Sequence, residues 1–407
     1  MKACFAERFN RHFGILIATF LAVLLLPVAA ALAQTRGTPP SVAPAPATAQ
    51  PGAQQPSDHE PPSDPEREVF LESMSLIPFP GKGCFKAVFP NKIWQPAECA
   101  SPPATPNPRA LQPRADRLTV GKGTDYFLLS DSPSITSATG SFPSVNGVKS
   151  VYSPTVMQPN TYALQMNSNT FNSSFCDNCT VWQQFIFSQS QCGQRQPCVF
   201  IEYWLLNYSS SCPPGWYRGT VSDCFLNAMG TIVDPPLIED LAKLKLKGTV
   251  STTTADNTVV DAAVLLTADG TVWAAQGTPF GLAGAWQGAE FNLFGDCCGY
   301  GAYVNSGSNI EVKLGVDNGT VSCTTDPLLF AGGTAETNNL SLVLGSCSAT
   351  GGSSPAIMFT ECGGGQPPQE DTVAGTTRST ASATGETGST ASATLTINVI
   401  APCAAPQ

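Results

Sequence analysis

Two glutamates stand within stretches that otherwise read as apolar strands. Glu202 lies at the centre of VFIEYW, and Glu290 lies in AWQGAEFNLFGD. Because side chains alternate between the two faces of a strand, Glu202 shares its face with Trp204, and Glu290 shares its face with Trp286 and Asn292. A carboxyl group flanked by tryptophan is typical of a concave binding surface, where partial desolvation raises its pKa. The alternative, two solvent-facing glutamates, stays open.

Two further stretches add polar candidates. WQQF offers Trp182 and an amide donor at Gln184, and GGTAETNNLSLVLG offers Glu336. The amides also suit surface positions, and Asn-Asn also suits a turn. The predicted catalytic residues are Glu290, Glu202 and Gln184, and the predicted substrate-binding residues are Trp182, Trp204, Trp286, Asn292 and Glu336.

The chain has two histidines, His12 and His59, and both precede the region expected to fold. A Ser-His-Asp triad, a Cys-His pair and a His-ligated zinc site are therefore excluded inside that region. Any catalysis there must use carboxyl, amide, hydroxyl, lysine or tyrosine groups. We expect no cofactor and no metal.

The beginning of the chain is typical of an exported protein. A basic start, the apolar run FGILIATFLAVLLLPVAA and the small-residue site ALAQ predict a signal peptide. The predicted organisation is a signal peptide at 1–33, a Pro/Ala-rich disordered linker at 34–66, a small disulfide-tied segment at 67–118, a β-sandwich domain at 119–362 and a Thr/Ser/Gly-rich tail at 363–407. We expect a secreted protein, or one in the periplasm or at the cell surface.

Fourteen of the 15 cysteines remain after removal of Cys4, which is an even number. In an exported chain they predict a disulfide framework. Spacing suggests Cys84–Cys99, Cys212–Cys224, Cys323–Cys347 and Cys362–Cys403, with a second cluster formed by Cys176, Cys179, Cys192 and Cys198. The CDNC spacing of Cys176 and Cys179 also fits a redox pair or half of a zinc site.

Short alternating stretches separated by Gly and Pro turns dominate the region from residue 162 onward. They predict an all-β protein with an antiparallel jelly-roll sandwich of concanavalin-like type, stapled by disulfides and flanked by disordered tails. Asp269–Gly270 predicts a hairpin turn, and residues 69–74 predict one helical turn. With 30 acidic and 20 basic residues, the chain is not suited to nucleic acid.

The ordered series TYALQMNSNTF, CTVWQQFIF, CVFIEYWLLNY, CPPGWY and TAETNNLSL, spanning about Phe79 to Cys362, resembles a broad group of exported microbial concanavalin-like β-sandwich proteins. More distantly, AEFNLFGD resembles the strand that carries the catalytic glutamate of the glutamic peptidases (eqolisins). That resemblance implies Glu290 as the general acid/base that activates water. It also implies a glutamine on a neighbouring strand as the oxyanion donor. The nearest matching position here is Glu202, and Gln184 is the alternative amide.

Three functions remain open at this point. The first is an acid-working glutamic-type peptidase that uses Glu290. The second is a jelly-roll glycoside hydrolase that uses Glu202 and Glu290 as its two carboxyl groups. The third is a non-catalytic surface module that binds a glycan or a peptide. The expected partner is an extracellular polypeptide or polysaccharide, and we expect a monomer without a membrane span in the mature chain.

Overall fold

A computed structural model describes residues 64–102, 125–132, 134–153, 159–176, 178–219, 221–296, 301–324 and 336–364 together with Cys403. The predicted signal peptide, nearly all of the predicted linker, and Cys297 and Cys298 lie outside the described residues. So does the predicted tail, apart from its start and Cys403. None of the helices among the described residues is long and apolar enough to cross a membrane.

The described residues form one α-helix, two short 3-10 helices and 23 strands. The helix α1 spans Asp64–Ser75, and the 3-10 helices span Ile238–Lys243 and Leu282–Gly284. The strands are β1 (Cys84–Val88), β2 (Gln95–Pro96), β3 (Cys99–Ala100), β4 (Phe127–Ser130), β5 (Ser137–Asn146), β6 (Val151–Tyr152), β7 (Ala163–Ser168), β8 (Thr180–Cys192), β9 (Gln196–Leu206), β10 (Tyr217–Arg218), β11 (Cys224–Asn227), β12 (Gly230–Ile232), β13 (Lys245–Thr253), β14 (Val259–Leu266), β15 (Thr271–Gly277), β16 (Gly288–Phe294), β17 (Gly301–Val304), β18 (Asn309–Val316), β19 (Val321–Thr324), β20 (Thr337–Asn338), β21 (Ser341–Leu342), β22 (Ser348–Thr350) and β23 (Ala356–Cys362).

The strands build two ten-stranded antiparallel sheets and one small sheet. The first sheet has the order β2-β1-β15-β14-β13-β5-β18-β23-β21, with β22 paired to β23. The second sheet has the order β10-β11-β9-β8-β7-β16-β4-β19, with β12 paired to β9 and β3. The small sheet has the order β20-β17-β6, and its β17–β20 pair is parallel. The predicted all-β antiparallel sandwich is confirmed.

Alternation along the strands explains where the main core lies. One face of β7, β8, β9 and β16 turns large apolar side chains toward the first sheet, among them Met166, Phe185, Ile201 and Phe291. They pack against inward side chains of the first sheet such as Leu246. The opposite face of these four strands points away from that core, and there the sequence places its polar residues.

The N-terminal part of the described chain belongs to both sheets. Strand β1 pairs with β15 in the first sheet, and β3 pairs with β12 in the second. The helix predicted for residues 69–74 is longer than one turn. It packs its buried Phe70 and Met74 into a second apolar cluster that includes Val264. Buried Arg67 fixes the helix by donating to the Thr267 carbonyl at 3.0 Å.

The predicted hairpin at Asp269–Gly270 is confirmed, since it joins β14 to β15 and Gly270 has a φ of 84°. The disulfide predictions are also confirmed where the residues are described. The bonds are Cys84–Cys99, Cys176–Cys179, Cys192–Cys198, Cys212–Cys224, Cys323–Cys347 and Cys362–Cys403. Cys176 and Cys179 therefore form a disulfide rather than half of a zinc site.

The two sheets approach closely at Gly140 of β5, which leads to a stability prediction. A Cβ added there would lie 2.1 Å from Cγ of the fully buried Phe291 ring. We expect Gly140→Ala to lower the free energy of unfolding by about 1–3 kcal/mol through overpacking. Gly284→Ala is the matched control, because nothing lies within 4 Å of its added Cβ. Urea unfolding of both variants measures the difference, and equal stabilities would contradict this close contact.

Candidate functional site

Four polar side chains form a continuous row across the second sheet, on the face turned away from the main core. Glu202 of β9 lies opposite Gln184 of β8, and Gln184 lies opposite Asn167 of β7. Asn167 in turn lies opposite Glu290 of β16. We call Glu202, Gln184, Asn167 and Glu290 the polar row. Strand register alone thus places the three predicted catalytic residues in one row on one face of the sheet, with Glu202 and Glu290 at its two ends.

Hydrogen bonds connect the polar row from end to end. The indole N–H of Trp204 donates to Glu202 Oε1 at 2.7 Å and to Gln184 Oε1 at 3.0 Å. Gln184 Nε2 donates to Asn167 Oδ1 at 2.9 Å. Asn167 Nδ2 then donates to Glu290 Oε2 at 2.9 Å. Each amide is oriented by its neighbours, so the row is a preorganised network rather than four independent side chains.

The two ends of the polar row differ in exposure. Glu202 is partly exposed, whereas Glu290 is 1% exposed. Burial raises the pKa of Glu202 to about 7, although its hydrogen bonds with Trp204 and Asn227 oppose the shift. Burial, followed by the nearby charge of Asp125, raises the pKa of Glu290 well above its usual range. Both ends therefore hold a proton in mildly acidic solution.

A second layer of polar side chains lies beside the row. Asn292 is opposite Gln165 in the register of β16 and β7. Gln165 Nε2 donates to Glu336, so that this predicted binding residue reaches the site from the segment before β20. Asn292 Nδ2 donates to Asp125 Oδ1 and, at 2.8 Å, to Glu361 Oε2. All five side chains of this layer are buried.

The three predicted tryptophans are not exposed platforms. Trp182 and Trp204 are 2% and 7% exposed, and they pack with Phe225 in a small apolar cluster beside the row. Trp286 does not share the face of Glu290, contrary to the alternation predicted from sequence, because β16 begins only at Gly288. Its fully buried ring stacks on Phe185 in the main core, with 5.5 Å between ring centroids.

The carboxyl groups of Glu202 and Glu290 do not form a close pair. They lie on strands β9 and β16, which are separated by β8 and β7. Three strand spacings amount to about 14 Å between the backbones. A glycosidase pair needs carboxyl groups about 5–9.5 Å apart, and here Gln184 and Asn167 fill the space between them.

Four polar residues of the site were missed by sequence reasoning. Gln165 and Asn167 occur in TYALQMNS, where they alternate with Leu164 and Met166, so the period-two pattern that placed the apolar residues inside carried the signal for both. Asp125 and Glu361 show no such pattern. Asp125 precedes β4, and Glu361 shares the inward face of β23 with core residues.

Gln183, the first glutamine of WQQF, faces the other side of the sheet from Gln184. Gln183 Nε2 donates to Asp261 Oδ2 at 3.0 Å, and both residues are buried between the sheets. Burial raises the pKa of Asp261. Gln183 is therefore not part of the polar row, although it is adjacent to Gln184 in sequence.

No protein-family model matches the chain, and no curated protein matches it. Among solved structures, the chain is similar to the crystal structure of scytalido-glutamic peptidase with a peptide-based transition state analogue. The two are 11% identical, the TM-score is 0.24, and the match covers 58% of this chain and 98% of the peptidase. The resemblance to the glutamic peptidase is distant. At this TM-score it assigns no residue a role, so the roles below rest on contacts within this chain.

Proposed function

We propose that the chain is an acid-working hydrolase of the glutamic-peptidase type, with Glu290 as its general acid/base. The observation that carries this proposal is the hydrogen bond from Asn167 Nδ2 to Glu290 Oε2, within a row that continues through Gln184 to the partly exposed Glu202. A carboxyl group held beside amides is a form of acid/base machinery that needs no histidine.

The protonation of Glu290 suits work at low pH. Its pKa lies well above the usual range because burial disfavours the charged form. In the proposed reaction the protonated carboxyl gives its proton to the carbonyl oxygen of the scissile amide as the water oxygen bonds to the carbonyl carbon, and the resulting carboxylate of Glu290 takes up the proton that the water loses. The protonated carboxyl gives that proton to the amide nitrogen as the C–N bond breaks and the amine leaves, and the carbonyl oxygen returns the first proton to Glu290. The proton balance closes, and one group serves both steps.

The amides of the row have distinct tasks in this proposal. Asn167 is adjacent to Glu290 and orients its carboxyl group. Gln184 donates to Asn167 and to Gln165 Oε1 at 3.2 Å, so its amide hydrogens already have acceptors. Gln184 therefore acts by positioning Asn167, and the sequence-based assignment of Gln184 as oxyanion donor requires it to exchange one of these bonds. Glu202 marks the end of the row that reaches solvent.

The two other functions have less support. A glycosidase needs two carboxyl groups close together, and Glu202 and Glu290 are separated by two strands. A binding module that stacks sugars on Trp182 and Trp204 needs exposed ring faces, and these rings are buried.

The test is proteolysis of casein at acidic pH by the purified chain. We expect cleavage that resists pepstatin and chelators, and we expect Glu290→Gln to lower the rate by about a hundredfold or more, since general acid/base catalysis contributes roughly that much. The substitution keeps the shape and removes the titratable proton. Glu311→Gln on β18 of the first sheet is the matched control and should retain the full rate.

Glu202→Gln is measured in parallel. If Glu202→Gln abolishes cleavage while Glu290→Gln does not, the acid/base lies at the exposed end of the row and the assignment to Glu290 is wrong. If casein stays intact with the wild-type chain across the acidic range, the peptidase proposal fails as a whole.

A further inference from the structure

Three carboxyl groups from different parts of the fold meet at the buried end of the polar row. Asp125 precedes β4, Glu290 lies in β16, and Glu361 lies in β23 of the first sheet. We call them the acid trio. Their exposed fractions are 1%, 1% and 0%. Water therefore contributes little to stabilising any negative charge on them.

One amide group ties two members of the trio together. Asn292 Nδ2 donates both to Asp125 and to Glu361 Oε2. Each carboxyl group of the trio also has one buried oxygen that no N–H or hydroxyl group of the described residues reaches. These oxygens are Asp125 Oδ2, Glu290 Oε1 and Glu361 Oε1.

The groups near these three oxygens include the other carboxyl groups of the trio. The carboxyl group of Asp125 lies within hydrogen-bonding range of the carboxyl groups of Glu290 and Glu361. An ionised carboxylate only accepts hydrogen bonds, so a bond between two carboxyl groups requires a proton on one of them. Two such bonds that meet at Asp125 would require two protons, one on Glu290 and one on Glu361.

Among the residues that the structure describes, no cation is placed to replace these protons. Within the described residues, no lysine or arginine forms an ion pair with the trio. Of the elements packed against β16, β18 buries its apolar residues and turns Glu311 and Lys313 to the other side, and β17 carries Tyr303. The segment before β20 adds another acid, Glu336, through Gln165.

We propose that Asp125 and Glu361 are positioning residues that hold Glu290 in its protonated form, with two protons shared among the three carboxyl groups. This inference rests on the proposed function for its catalytic meaning, because it explains why Glu290 begins the reaction as an acid; the reaction then requires Glu290 to exchange its bond with Asp125 for one with the substrate. The shared protons are a property of the fold and can be measured without substrate.

The direction of the pKa values agrees with this arrangement. Burial, then the charge of Asp125, raises the pKa of both Glu290 and Glu361 well above the usual range. Burial also raises the pKa of Asp125, to about 6, while the bonds that Glu361 and Glu290 donate to it lower that value. Asp125 is thus the member of the trio that ionises first.

The test is an NMR titration of carboxyl carbons in the full chain, with the Glu290 signal assigned by its loss in Glu290→Gln. In the wild type we expect Glu290 to titrate well above an ordinary glutamate. Asp125→Asn removes the negative charge and supplies an N–H donor, so we expect the Glu290 midpoint to move to lower pH. Glu361→Gln is the second variant; because glutamine is also a neutral donor to Asp125, it should leave the Glu290 midpoint close to its wild-type value.

Asp261→Asn is the matched control, because Asp261 is also a buried acid with a raised pKa but faces Gln183 between the sheets. It should leave the Glu290 midpoint unchanged. A wild-type midpoint at the ordinary glutamate value, or one that Asp125→Asn does not move, would overturn the inference. Failure of casein cleavage alone would defeat the peptidase proposal and leave the titration result standing.

If casein cleavage is observed, its pH profile gives a second readout. Loss of protonated Glu290 should appear as the falling side of the profile at high pH, and Asp125→Asn should move that side to lower pH. A merely structural role for Asp125 would lower the rate at every pH without moving the profile. Such an outcome would count against the positioning role.

Discussion

The free energy of unfolding should fall by several kcal/mol when the pH is raised from about 4 to about 8, because the folded chain holds protons on buried acids that the unfolded chain releases. Burial raises the pKa of Asp296 from 3.8 to about 7, against the opposing hydrogen bonds of Ser188 and Ser190. Burial likewise raises the pKa of Asp125 to about 6. Glu290 and Glu361 are shifted in the same direction.

The sign follows from which state binds more protons. Below about pH 4 these acids are protonated in both states, so their stabilising contribution is fully present there. As the pH rises, the unfolded acids ionise first, and the contribution is lost progressively up to the folded pKa values. At about 1.4 kcal/mol per pKa unit, Asp296 alone accounts for about 4 kcal/mol between its unfolded and folded values of 3.8 and about 7.

Asp256 changes the free energy of unfolding in the opposite direction, at lower pH. A hydrogen bond with Thr254 lowers the pKa of exposed Asp256. Its contribution is therefore lost as the pH falls below about 4. Stability should accordingly reach its maximum in the region of pH 4. Most proteins are instead most stable between about pH 5 and 8.

Denaturant unfolding at a series of pH values measures this profile. Asp296→Asn should flatten the decline between about pH 4 and 7, because it removes one group that takes up a proton on folding. Both histidines lie outside the described residues, so histidine titration does not account for a decline in that range among the described side chains. A wild-type stability that is flat or rises from pH 4 to 8 would show that the buried acids are ionised in the folded state.

Trp286→Ala should lower the free energy of unfolding by about 3–5 kcal/mol, the usual cost of deleting a large buried aromatic side chain. The indole is fully buried, stacks on Phe185, and donates through Nε1 to the Gly288 carbonyl at 2.9 Å. The alanine variant leaves a cavity between the sheets, and it frees a buried carbonyl of the first residue of β16.

Unfolding in urea, together with the KM of the folded variant, separates this structural role from the substrate-binding role predicted by sequence. Trp216→Ala is the matched control, since Trp216 is only half-buried and contacts Phe280 edge-on at 5.4 Å. It should cost clearly less. A stable Trp286→Ala protein with a raised KM would instead support contact with substrate.

Much of the site's composition could be predicted from the amino-acid sequence alone. The absence of histidine from the region expected to fold restricts catalysis there to carboxyl, amide, hydroxyl, lysine or tyrosine groups. The period-two alternation of VFIEYW correctly places Glu202 with Phe200 and Trp204, away from the core side chains Ile201 and Tyr203. The cysteine pairs followed from spacing, because short loops close most easily between neighbouring strands.

Only the tertiary structure decided which polar residues meet. Alternation gives the face of a residue but not its partner on the next strand, because register depends on pairing between segments remote in sequence. That pairing separates Glu202 from Glu290 by two strands and inserts Asn167 beside Glu290. A periodic pattern also does not reveal where a strand begins, which is why Trp286 was expected on the wrong face.

The sequence did not predict that the members of the acid trio lie close together. Asp125, Glu290 and Glu361 are spread over more than half of the chain, and they come from both sheets. The sequence determined an all-β, disulfide-stapled chain whose candidate site residues carry carboxyl and amide groups. The packing of the two sheets decided that three of those carboxyl groups share one water-poor space, where burial favours the protonated form.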